Sequence, residues 1–255
     1  MSVKSILVTG CSSGGIGAAI ALNLAKSGHN VFATARSTPK IPQELSSLPN
    51  VTVTQLDVTS KTSVAEAANA VTESGRGLDV LVNNAGAGYG VPILDMDVES
   101  AQHFYDTNVW GPVRCVRAFS DLLIKSRGRI VNMSIVGAVI NMPWIFVTIM
   151  AGIITSHFHE NDIGAKLPEE SRYAPIEDTI DGWTSGRSKP EGISADRFAA
   201  HIVDDIVGNG KGGLVWKVPN AGSVKIATTW FPSSLLDSSL TKDQGLDKLA
   251  ANYSK

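Results

Sequence analysis

Neither sign of charge dominates this chain. Its 22 lysines and arginines are set against 24 aspartates and glutamates, for a formal net charge of −2. A protein built mainly for nucleic acid or an anionic membrane would carry a basic surplus, so neither is expected as the main partner. Cysteine is scarce as well. Cys11 and Cys115 are the only two. They show neither CxxC spacing nor the density of a disulfide scaffold, which points to a reducing compartment and two packed thiols. No secretory leader is expected, because Met1-Ser-Val-Lys-Ser reads as running straight into a strand. The location is therefore read as cytoplasmic, and the Asn-x-Ser/Thr triplets at Asn50, Asn132 and Asn252 as chance matches. No metal set is apparent either: His157 and His159 lack a third partner and read as part of a polar loop. One absence cuts the other way. No charged residue lies between Ile130 and Ser156, a stretch long enough to cross a membrane. Pro143 and the many β-branched residues favour two buried strands instead, Arg129–Met133 and Ile145–Met150.

What is present is a regular alternation of strand and helix. Strands are expected at Ser5–Val8, Asn30–Ala35, Val51–Leu56, Leu78–Val82, Gly128–Met133 and Gly213–Lys217. Helices are expected at Ile16–Lys26, Ser63–Glu73 and Ala195–Val207, with one long amphipathic helix over Val98–Lys125 and a helical turn near Gln43–Leu48. Ser194 caps the Ala195 helix, and Gly208 ends it. Gly152–Trp183 reads as loop-rich, and Thr184–Pro190 as an exposed connection. The tail Trp230–Leu236 is amphipathic and is expected to pack on its own domain rather than on lipid. With 255 residues, 43% of them hydrophobic and 18% charged, this describes one α/β domain. Its sheet is parallel and doubly wound, with right-handed crossovers.

The first strand ends in Thr9-Gly10-Cys-Ser-Ser13-Gly14-Gly15-Ile16-Gly17, which leads directly into a helix. Glycines there let the backbone turn tightly and approach a pyrophosphate, which the helix N-terminus then faces. Asn83-Asn84-Ala85-Gly86 follows the fourth strand, on the same carboxyl edge. Asp57, in Leu-Asp57-Val, has two readings: a hydrogen bond to an adenine amino group, or a brace for the turn before the next helix. Arg36 ends the second strand, where an acidic residue would bind a ribose 2′-hydroxyl. An arginine there suits a 2′-phosphate, with a plain surface arginine as the other reading. Residues 1–156 thus read as a nucleotide-binding core, and 157–255 as substrate-side loops, helices and a last strand of the same domain. His103 and Phe104 read as packing residues, and Ser185-x-x-x-Lys189 carries no catalytic weight.

Together TGCSSGGIG, LDVT, NNAG and Thr107-Asn108-Val-Trp-Gly111 resemble the classical short-chain dehydrogenase/reductase family, in its NADP-using branch. The resemblance runs continuously over residues 3 to about 156. Beyond that it is looser, and is to fungal acyl-dihydroxyacetone-phosphate-reductase-like members. It implies a Rossmann-type fold and NADP as cofactor, with a small-molecule ketone, lipid-like or from secondary metabolism, as substrate. By resemblance Gly10, Ser13, Gly14, Ile16 and Gly17 line the pyrophosphate, Arg36 takes the 2′-phosphate and Asp57 holds the adenine. Asn84 and Ala85 line the adjacent ribose, and Asn108 supports the family's proton relay. The glycine turn is one residue longer than the family's commonest spacing.

The family's chemistry needs a serine and a Tyr-x-x-x-Lys pair, in which the tyrosine protonates the carbonyl oxygen and the lysine lowers the tyrosine's pKa. None of Tyr89, Tyr105, Tyr173 and Tyr253 has a lysine four residues later. Pro143-Trp144 passes almost directly into the next strand, as if the catalytic crossover helix between strands five and six were deleted, and with it the family's dimer contact. The serine position falls on Ser134 in one register and on Ile135 in the other. Three readings stand: a ketone reductase of impaired competence, a nucleotide-binding pseudoenzyme, or the product of a skipped exon or over-called intron.

Overall fold

Short runs of β-branched and aliphatic residues form a parallel sheet in the computed structural model, which describes residues 2–88, 91, 93–135, 149–151, 154–156, 167–171, 173–188, 192–208, 215–217, 221–230, 248 and 251. The strands are β1 (Ser5–Val8), β2 (Asn30–Ala35), β3 (Val51–Gln55), β4 (Val80–Asn83), β5 (Arg129–Ile135), β6 (Ile149–Ala151), β7 (Ile154–Thr155), β8 (Ile193–Ser194) and β9 (Val215–Lys217). Seven of them make one sheet in the order β3-β2-β1-β4-β5-β6-β9, parallel at every pairing. β7 and β8 pair separately. β1 and β4 are buried along their whole length, because strands covered on both faces must be apolar on both.

The helices are α1 (Ile16–Lys26), α2 (Gln43–Ser46), α3 (Lys61–Glu73), α4 (Val98–Tyr105), α5 (Gly111–Ser126), α6 (Glu177–Thr184), α7 (Ala195–Val207) and α8 (Ala221–Trp230). α1 and α7 pack together on one face of the sheet. There Ile20, Leu24, Phe198 and Ile202 meet Ile6, Val8 and Val82. α3 and α5 cover the other face, where Val64, Val71, Phe119 and Leu123 meet Leu7, Phe32 and Leu81. Phe32, Phe119 and Phe198 are fully buried, each stabilising the fold by roughly 1.5–3 kcal/mol. The strand order reverses between β1 and β4, which makes their carboxyl ends the topological switch point.

The elements from β1 to β4 follow the expectation closely. Elsewhere two readings need correction. The single helix expected over Val98–Lys125 is two helices joined by a wide π turn at Asp106–Trp110. The stretch expected to be loop-rich contains α6, and α8 was not anticipated at all. Of the strand expected over Ile145–Met150, the described residues Ile149 and Met150 fall in β6. The residues between β5 and β6, numbered 136–148, lie outside the described residues. So do His157 and His159, expected in a polar loop, and residues 231–236 of the expected amphipathic tail. Among the described residues no helix is long and apolar enough to cross a membrane, and none groups His, Cys, Asp and Glu in a way that would hold a metal ion.

Candidate functional site

At the end of β1 the chain must turn back into α1 while passing close to β4. Gly10 takes φ +75°, in the left-handed region that favours glycine. A Cβ there would lie 2.9 Å from the Ala85 Cα. Gly14 takes φ +72°. Gly17, buried in the first turn of α1, leaves no room for a side chain, since a Cβ would collide with the Asn84 amide nitrogen and the Gly10 carbonyl. Gly15 is the N-cap of α1 and offers no side-chain cap, so the first N–H groups of that helix remain available to an anion. Ser13 is exposed beside them, and its N–H donates to the Lys40 carbonyl at 2.8 Å. Ile16 is half-buried and packs onto the core beneath.

Thr9 locks β1 to the loop after β4. Its hydroxyl accepts the backbone N–H groups of Asn84 and Ala85, each at 2.9 Å. The Asn84 side-chain amide donates back to the carbonyls of Thr9 at 2.8 Å and Gly10 at 3.3 Å. Gly10, Gly17, Asn84 and Ala85 therefore form one hydrogen-bonded corner. The sequence reading passed over Thr9, although its place directly before Gly10 was the available clue.

Cys11 lies at the base of this corner, fully buried. Its thiol donates to the Val8 carbonyl at 3.2 Å, and burial pushes its pKa up to about 12. It is a packed group, not a nucleophile. Cys115 in α5 is buried likewise, and its thiol also rises to about 12.

The neighbouring strand ends bring in two more of the expected residues. Arg36 is exposed just beyond β2, and its carbonyl accepts from the Gln55 side chain at 3.1 Å. Asp57 follows β3. Its Oδ1 accepts from the Thr59 N–H at 2.9 Å and the Thr59 hydroxyl at 2.7 Å. That carboxylate braces its own turn, while Ser60 supplies the N-cap of α3. The brace leaves the adenine role as a proposal.

Asn108 sits inside the wide turn between α4 and α5. Its Oδ1 accepts the Ala87 N–H at 3.1 Å, and its amide donates to the carbonyls of Ala87 and Phe104, each at 3.1 Å. It thereby ties α4 to the loop that carries Asn84 and Ala85. Ser134, near the end of β5, is half-buried and stands in register with Met150. Val131 and Met133 pack toward α1 and α7. Strand alternation therefore turns Ser134 to the opposite face, the side of α5. Ile135 stands beside Ala151 in the ladder, so both candidates for the serine position lie at this strand end.

Residues 4–148 match a family profile described as short chain dehydrogenase. Short-chain dehydrogenase ptmH of Penicillium ochrochloron is 31% identical over 274 aligned positions, covering 96% of this chain and 100% of the relative. That alignment is longer than the 255-residue chain, so the relative contains residues that have no counterpart here. The NADPH-dependent 1-acyldihydroxyacetone phosphate reductase of Schizosaccharomyces pombe is 30% identical over 243 positions, covering 82% of this chain and 80% of that protein. Among solved structures, a short chain dehydrogenase from Burkholderia cenocepacia in complex with NADP superimposes with a TM-score of 0.71. It is 19% identical and covers 94% of this chain and 98% of that one, a likeness of fold.

Proposed function

Since the chain belongs to the short-chain dehydrogenase family, we propose that it binds NADP(H) in the crevice between β1 and β4 and acts on a ketone of a lipid-like or secondary-metabolite substrate. The observation that carries the binding half is the corner built by Gly10, Gly17, Asn84 and Ala85. It is a cradle with no room for side chains, and it opens onto uncapped N–H groups at the start of α1. A dinucleotide pyrophosphate fits that chemistry. Gly14, Ser13 and Ile16 complete the cradle, Arg36 takes the 2′-phosphate with its forked donors, and Asp57 reaches the adenine. Asn84 and Ala85 line the ribose. The similarity to an NADPH-dependent reductase of Schizosaccharomyces pombe supports NADPH over NADH.

Bound there, the reduced nicotinamide supplies a hydride. Asn108 holds the loop after β4 against the wide turn and so sets the floor on which a carbonyl lies, and Ser134 offers that carbonyl a hydroxyl donor. Nothing in the sequence supplies the family's tyrosine and lysine, so proton donation is the step this chain is least equipped to perform. Orientation contributes separately from acid catalysis, and slow turnover is compatible with its residues.

A second reading, that the chain binds nucleotide without turnover, is favoured by that same gap and by relatives that contain residues missing here. A mis-spliced product of a full-length reductase gene has the same cause. A parent transcript with roughly thirty more codons between the codons for β5 and β6 would mark it, since a helical crossover of ordinary size is what parallel neighbours require.

The test is thermal unfolding of the purified chain with NADPH and with NADH, followed by ketone turnover. A transition raised by several degrees more with NADPH supports the crevice and Arg36. An Arg36→Ala variant should then lose the difference between the two nucleotides. No response to either nucleotide would sink the binding reading. A response without measurable turnover would select the pseudoenzyme.

A further inference from the structure

We propose that Arg114 is a positioning residue, which holds the wide turn that aims Asn108 at the loop after β4 and thereby joins the two ends of the crevice. The role is read from the geometry of the chain itself. Only its consequence for a nucleotide rests on the function proposed above.

A π turn displaces the regular helical hydrogen bonds and leaves carbonyls to be satisfied by other donors. In the turn Asp106–Trp110 those donors come from side chains. Asn108 takes the Phe104 carbonyl at 3.1 Å. Arg114, one turn further on in α5, donates to the Asp106 carbonyl at 3.3 Å and also pairs with the Asp106 carboxylate. The same guanidinium donates to the Val58 carbonyl at 3.3 Å. A planar fork with five donors can serve three acceptors on two separate elements, which an ammonium on a flexible stem does poorly. The side chain is 23% exposed, so these bonds are partly shielded from water.

Val58 directly follows Asp57, at the adenine end of the crevice. The backbone of α5 lies hard against it, since a Cβ on Gly111 would stand 2.8 Å from the Val58 methyl. A continuous path therefore runs from Val58 through Arg114 to the Asp106 carbonyl, through the turn to Asn108, and from Asn108 to both backbone groups of Ala87. Without Arg114 the turn has lost a support on each side. Relaxing toward an ordinary helix would rotate Asn108 away from Ala87.

Amide hydrogen exchange of the apo chain, resolved by NMR, reads this directly, because the Ala87 N–H is the one that Asn108 protects. Arg114→Met keeps the stem and removes the fork. It should speed Ala87 exchange tenfold or more, while amides in β1 and β2 stay as protected as in the parent. Arg114→Lys should fall between the two. In an Asn108→Ala background, Arg114→Met should add nothing further at Ala87, since both changes remove one path. Unchanged Ala87 exchange in Arg114→Met would overturn the proposal. So would a uniform acceleration of all amides, which would make Arg114 a general stabilising residue. NADPH titration of the same variants separates the two claims. A parent that does not bind NADPH removes the proposed function and leaves the exchange result standing. A parent that binds should lose about tenfold in affinity on Arg114→Met.

Discussion

Gly17 differs from alanine by one methyl group, and the corner at the switch point has no space for it. The methyl would collide with the Asn84 amide nitrogen and the Gly10 carbonyl at once. The Asn84 bonds to Thr9 and Gly10 would have to open to admit it. Forced repacking of this kind costs about 1–3 kcal/mol. Gly17→Ala should therefore lower the urea midpoint and abolish NADPH binding together, as measured by denaturation and by nucleotide fluorescence. Normal affinity in this variant would show that the cradle is not where nucleotide binds. The two thiols make a second prediction at this scale. With pKa values raised to about 12 by burial, neither Cys11 nor Cys115 should react with a thiol-directed disulfide reagent at pH 8 in the native chain, and both should react in denaturant. Rapid labelling of either in the native state would contradict the burial. The glycines could be picked out from sequence because a tight strand-to-helix turn is a local constraint, whereas the roles of Asn84 and Ala85 came only with the family resemblance, since their partner Thr9 lies more than seventy residues away. Arg114 could not, because its bond to the Val58 carbonyl joins groups more than fifty residues apart along the chain and no spacing rule announces it.

The elements divide along the same line. α1, β2 and α7 were legible to the residue, since each carries its own boundary marks. α7 shows them best. Ser194 accepts the Arg197 N–H at its start, and Gly208 closes it at φ +101°. Removing that cap in Ser194→Ala should cost about 1 kcal/mol, seen as a lower thermal midpoint with no change in nucleotide preference. A larger loss would mean that Ser194 also supports the short β7–β8 pairing. The break between α4 and α5 was not legible. The residues Val98–Lys125 keep an amphipathic pattern throughout, and at the wide turn Asn108 and Arg114 bond to groups outside their own helices. α6 escaped notice for a different reason. It is short, and its acidic first turn of Glu177 and Asp178 stabilises a helix start without leaving a long apolar period to read.

At the scale of the molecule, β5 and β6 are parallel neighbours, joined through residues 136–148 alone, near the lower limit for such a crossover. In the β1–β4 half, one buried group is expected to make stability depend on pH. His29, only 4% exposed, precedes β2, and its Nδ1 accepts the Lys4 N–H at 3.2 Å. Burial first, and then the positive charge of Lys4, hold its pKa below the ordinary 6.5, with Asp79 opposing them. Protonation would also abolish the acceptor. Because the folded chain resists the proton and the unfolded chain takes it near 6.5, the unfolded state binds more protons in the window just below that value. The contribution of His29 is thus fully present above pH 6.5 and is lost as the pH falls through the lower folded value. His29→Asn keeps an acceptor for Lys4 and cannot titrate. Urea unfolding between pH 5 and 7.5 should show stability falling on acidification in the parent and a shallower slope in the variant. Equal slopes would place the acid sensitivity elsewhere in the chain.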